Sequence, residues 1–210
     1  MRCFVRGRAV VSLLALLCVL AASSPASAIW VVNFGTAETL PPRRIGFAAG
    51  MGGQAVFAGD PAKANANFII PHAGVRVGVL DRLDFGWRLA LVPLPYSTVG
   101  PGFGANLDAK LRLTNAGANV AVALVAGAGL AHVRVRDDNE VALSPNGAGL
   151  LTFRTTEKTH LTLMARYVYL AIPTAPGSSV QNFVHVTGSS VGMKIAPLPH
   201  LSVLPEVGAY

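Results

Sequence analysis

The sequence predicts an all-β protein, an antiparallel up-and-down transmembrane β-barrel of about eight to ten strands. Three observations carry that expectation. Apolar residues recur at every second position in one segment after another, the period of a strand whose two faces meet different surroundings. Only 13% of the 210 residues are charged, half of what a soluble domain carries, while 52% are hydrophobic and the mean hydropathy is +0.50. The chain also opens with the features of an export signal. Its 22 Gly and 14 Pro disfavour long helices.

Arg2, Arg6 and Arg8 precede an apolar run over 9–22 that includes Leu13, Leu14, Leu16, Leu17 and Leu20. Small residues follow and end in Ala26-Ser27-Ala28. A basic start, a short apolar centre and a small-residue exit describe a secretory signal peptide. The run is too short to span about 30 Å of hydrocarbon, which argues against a plain anchor. Cys18 lies within it but follows Leu17 rather than a small residue, which argues against lipid attachment. Residues 1–28 are therefore read as the signal peptide, 29–42 as an N-terminal lead-in and 43–210 as the barrel. Cleavage after Ala28 leaves 182 residues with net charge +4 and removes both cysteines, Cys3 and Cys18. Neither disulfides nor thiolate metal sites are then expected.

The first strand places Ile45, Phe47, Ala49, Met51, Ala55 and Phe57 on one face, against Gly46, Ala48, Gly50, Gly52 and Gln54. Val75, Val77 and Val79 alternate with Gly74, Arg76 and Gly78. After a turn at Asp81-Arg82, Leu83, Phe85, Trp87, Leu89 and Leu91 alternate with Asp84, Gly86, Arg88 and Ala90. The next strand interleaves Phe103, Ala105, Leu107, Ala109, Leu111 and Leu113 with Gly104, Asn106, Asp108, Lys110 and Arg112. A long apolar strand covers 120–135, and a weaker one, interrupted by Pro145 and Asn146-Gly147, covers 141–154. Leu161, Leu163, Ala165, Tyr167 and Tyr169 oppose Thr162, Met164 and Arg166. Segments 183–195 and 201–210 bring the candidates to nine. Short turns at 81–82, 114–118, 155–158 and 197–200 alternate with longer connections at 58–67, 93–102 and 171–181, as in a meander.

In a soluble sandwich the polar face meets water and is rich in charge. Here that face is largely Gly, Ala and Asn, and inversion fits better, with apolar residues on lipid and small or polar ones inside. Closure satisfies every backbone group where lipid offers no partner. Phe85, Trp87, Phe103, Tyr167 and Tyr169 lie on apolar faces, where a membrane protein uses aromatics. The candidate lumen-facing charges are Arg76, Asp84, Arg88, Asp108, Lys110, Arg112, Arg166 and Lys194, six bases against two acids. A packed internal ion network is the first reading of this set, and a narrow anion-selective path the second.

The run Gly35-Thr-Ala-Glu-Thr-Leu-Pro-Pro42, the strand pair around Val79-Leu-Asp-Arg-Leu-Asp-Phe-Gly-Trp87 and the ending Leu204-Pro-Glu-Val-Gly-Ala-Tyr210 resemble small proteobacterial outer-membrane β-barrel proteins. The resemblance implies a barrel of about eight to ten strands in the outer membrane of a Gram-negative bacterium, in contact with outer-membrane lipid and lipopolysaccharide. It also implies recognition by the barrel-insertion machinery through the Tyr210 segment. Two features depart from it. Nine strands is an odd number where bacterial barrels have an even one, and Gly208, Glu206 and Leu204 make a poor apolar row before Tyr210. Pro205 belongs at an edge or a bulge.

His160-Leu-Thr162 and His185-Val-Thr187 each place a His and a hydroxyl on one strand face, a pair that can form a nucleophile if an acid orients the ring. The arrangement is similar to that of outer-membrane lipid A deacylases, but with Thr for Ser. Glu157 and Glu206 are the nearest acids by sequence. His72, His132 and His200 show no metal-ligand spacing, and no phosphate-binding loop or zinc-protease motif occurs. No cofactor, no metal, no catalytic role and no nucleic-acid partner are expected. Basic residues such as Arg43, Arg44 and Lys63 suit anionic headgroups. The expected role is structural or interaction-related; a narrow passive channel for small anions or solutes comes second, a lipid-modifying hydrolase third.

Overall fold

The computed structural model describes residues 35–56, 65–92, 102–135, 138–172 and 182–209. They form one antiparallel sheet of ten strands: β1 (Ile45–Val56), β2 (Asn65–Leu80), β3 (Leu83–Val92), β4 (Gly102–Arg112), β5 (Val120–Val135), β6 (Asp138–Arg154), β7 (Thr159–Ile172), β8 (Asn182–Leu198), β9 (Leu201–Val203) and β10 (Glu206–Ala209). Each strand from β1 to β8 lies beside its neighbours in sequence, and β9 and β10 both pair with β8. The fold is thus an all-β, up-and-down antiparallel meander, strongly curled in the manner of a β-barrel. The proposed signal peptide, Ile29–Phe34, Lys63, most of the three longer connections and Tyr210 lie outside the described residues.

Three elements differ from the sequence reading, the first being β2, which begins at Asn65 inside the connection expected at 58–67 rather than near Gly74. The weak segment at 141–154 is a continuous strand reaching back to Asp138, and Pro145 stands in its middle opposite Ala128 of β5. Pairing with β7 runs from Arg154 to Asn146, lapses at Ser144 and Pro145 and resumes at Leu143, because proline has no N–H to give to a ladder. The last candidate, 201–210, is split in two at Leu204-Pro205. The Pro205 carbonyl still accepts from the Met193 N–H at 2.9 Å, so the break leaves β10 in the sheet. β1 and β10, the two ends of the strand path, run in the same direction, and no ladder joins them among the described residues.

The two faces are inverted relative to a soluble protein. Asp84 is fully buried and Lys110 is 3% exposed, whereas Phe47 is 84% exposed and Trp87 43%. Buried positions on one face include Asn106, Asp108, Lys110, Arg112, Thr152, His160, Thr162 and Arg166; the other presents Leu107, Leu111, Leu124, Leu130 and Met193. The polar face is the concave one. Residues 35–42 touch β1, β2, β3, β4, β6, β7 and β8 at once, through Gly46, Gly78, Asp84, Lys110, Thr152, His160 and Lys194. A short segment reaches that many strands only from inside a curled sheet.

Candidate functional site

The interior divides by strand. On the β2–β4 side the register sets Asp84 opposite Lys110, and Gly86 between Arg76 and Asp108. A Cβ on Gly86 would collide with the Arg76 guanidinium, so the missing side chain lets Arg76 lie flat across β3. One guanidinium nitrogen pairs with Asp84 and another with Asp108, both carboxylates being fully buried. Arg88 lies 3.6 Å from the second Asp108 oxygen, and Lys110 3.7 Å from the second Asp84 oxygen. Such charges persist away from water only when paired, and here each has an opposite charge within reach.

The β5–β7 side is apolar where it meets the chain's own N-terminal segment. Ala121, Ala123, Val125, Ala148, Leu150 and Met164 form a buried cluster that also takes in Ala37. Thr152 and Thr162 stand beside it with their hydroxyls 2.9 Å apart.

Residues 35–42 cross the interior at the short-turn end as a plug. The Ala37 N–H donates to Thr152 Oγ1 at 2.8 Å, and the Leu40 N–H to Asp84 Oδ2 at 3.0 Å. Lys110 Nζ donates to the carbonyls of Thr36 and Glu38, at 3.0 and 2.6 Å. The Glu38 carboxylate meets Arg154 at 2.7 Å, His160 at 3.3 Å and Lys194 at 3.4 Å. Burial pushes the Glu38 carboxyl up, but Lys194, His160 and Arg154 outweigh it and hold it below the usual carboxylate range. The segment leaves the interior through a tight reversal, with Arg43 in the left-handed region (φ 62°) and its N–H on the Gly78 carbonyl at 2.8 Å. Gly78 makes this passage possible, since a Cβ there would overlap the Pro41 and Leu40 carbonyl oxygens.

All eight charges expected in the lumen fall on the concave face. Arg76, Asp84, Arg88, Asp108 and Lys110 come together in one network, and Lys194 joins the plug. Arg112 donates to the Asp81 carbonyl at 2.9 Å, nearer the turn. Arg166 on β7 and Glu206 on β10 act electrostatically on Arg88. The residues that the sequence reading missed are Glu38, Thr36, Thr152 and Arg154. Glu38 had one signal, being the only acid in the first 59 positions. With them, the described interior holds seven Lys or Arg and four Asp or Glu.

The two His-x-Thr pairs separate to opposite faces. His160 is inside, and its nearest acid is Glu38 rather than the exposed Glu157, while Thr162 is bonded to Thr152. His185 and Thr187 are exposed outside; His185 Nδ1 is 2.6 Å from the Tyr167 hydroxyl, and its ring centroid 5.2 Å from that of Tyr169. No protein-family model, curated protein or solved structure matches this chain.

Proposed function

We propose that this chain is an outer-membrane β-barrel protein of the kind its sequence resembles, with a structural or interaction role and with its lumen plugged at the short-turn end by residues 35–42. The observation that carries the reading is the inversion of the faces. An exposed surface bearing Ile45, Phe47, Met51, Phe85, Trp87, Leu91, Phe103 and Leu107, wrapped around a buried interior of Asp, Lys, Arg and Thr, is unfavourable in water and suited to lipid. Strands β3 and β4, at 10 and 11 residues, have the length that crosses a bilayer. In such barrels the short turns face the periplasm and the longer loops face outward, which makes the loop end the surface for partners.

The test is gel mobility of the outer-membrane fraction in detergent, with and without boiling. A folded barrel resists the detergent until heated, so a heat-dependent mobility shift in that fraction is expected. A protein that stays soluble in the periplasm with no shift overturns the reading. A second reading, a narrow path for small anions, is favoured by the basic excess of the interior.

A further inference from the structure

We propose that the lumen is a gated anion path and that the segment 35–42 is its gate. The inference rests on the membrane-barrel reading above and goes beyond it in assigning an activity and the part that controls it.

The plug is held by groups that water can replace. Its described anchors are single hydrogen bonds from the Ala37 and Leu40 N–H groups and from the Thr39 hydroxyl to the Asp81 carbonyl, two carbonyls on Lys110, the ion pairs of Glu38, and the Leu40 side chain over Gly46. It adds no strand to the sheet, so withdrawing it breaks no ladder. The side chains of Glu38, Arg154 and Lys194 already keep 17 to 29% of their surface exposed, so hydration can compete with their pairing. Ala37 supplies the one apolar anchor within the buried cluster, and its single methyl is a small one.

Beyond the plug the interior is built for a wet passage. Asn106 Nδ2 and Asn146 Oδ1 are buried without a hydrogen-bond partner among the described residues, and Asn106 is less than a tenth exposed. Polar groups so placed are satisfied by water or by a solute. The charge balance sets the sign. An interior needing only internal pairing would carry equal numbers, yet among the described residues bases exceed acids by three. Withdrawal of Glu38 removes one acid and leaves seven bases against three among the described residues, so the open lumen favours anions more than the closed one does.

The experiment uses the full chain in planar bilayers under a potassium chloride gradient, with chloride as the probe. Glu38→Gln is expected to raise the open probability about tenfold over the unsubstituted chain, with a reversal potential on the chloride side. Ala37→Cys/Thr152→Cys joins the plug to β6 where the Ala37 N–H and Thr152 Oγ1 are 2.8 Å apart, and the described residues hold no other cysteine. The oxidised double variant is expected to be silent, and to open on reduction. Conductance that persists in the oxidised form, a cation-side reversal potential, or silence of Glu38→Gln and of the reduced variant overturns the gate. Silence of every variant that still shows a heat-dependent shift sinks the gate alone; loss of the shift in the unsubstituted chain sinks the barrel reading with it.

Discussion

The two walls of the interior solve one problem with opposite chemistry. The β2–β4 wall buries two carboxylates and satisfies them with Arg76, Arg88 and Lys110. The β5–β7 wall buries Val125, Leu150 and Met164 beside small alanines, and its polar groups Thr152, Thr162 and His160 flank that apolar cluster. Residues 35–42 join the two, giving Lys110 its carbonyls on one side and Ala37 to the apolar cluster on the other. The difference teaches that the polar wall fixes geometry by all-or-none pairing, whereas the apolar wall contributes graded packing. Removing one partner of a buried pair strands the others, while removing a methylene leaves only a small void.

The largest expected effect is on the polar wall. Asp84→Ala strands Lys110 and half of Arg76 and frees the Leu40 N–H, and should destabilise the protein by about 3–5 kcal/mol in urea unfolding from lipid vesicles. Leu150→Ala on the other wall should cost less, about 2–3 kcal/mol. Asp84 and Leu150 meet the plug at different residues, Leu40 and Ala37, so the double variant should lose about the sum of the two; strong coupling would break the picture of separate walls. Thr152→Val should lose about 1 kcal/mol by leaving the Ala37 N–H without its acceptor.

The smallest effect is on pH dependence. A carboxylate held below its ordinary value of 4.5 stabilises the folded form fully at higher pH, and this contribution is lost as pH falls through the depressed value. The anchoring of the plug should therefore be complete at neutral pH and weaken as pH falls below the ordinary carboxylate range toward the depressed value. Glu38→Gln should flatten that part of the stability profile and leave the neutral part parallel to that of the unsubstituted chain.

The alternation of Leu83 to Leu91 with Asp84 to Ala90 was legible because each strand face meets one kind of surroundings. The same periodicity placed Arg76, Asp108, Lys110 and Arg166 on one face without any knowledge of their partners. What the pattern could not show was the plug, since residues 35–42 have no period and their bonds run to positions as far away as Lys194. Pro145 misled for a related reason. A proline lowers local strand propensity, but fifteen flanking pairs with β5 hold β6 continuous through it. The division of 201–210 was foreshadowed by Pro205, whose missing N–H ends one run of pairing without removing the segment from the sheet.

In the proposed membrane barrel the apolar face meets lipid and the charged face the interior. Trp87 reports on it directly, since it lies on the exposed apolar face and the chain has only one other tryptophan, Trp30. In a Trp30→Phe variant reconstituted into vesicles, brominated phospholipid should strongly quench Trp87 emission and aqueous iodide should leave it nearly unchanged. Strong iodide quenching with no effect of the brominated lipid would contradict the account.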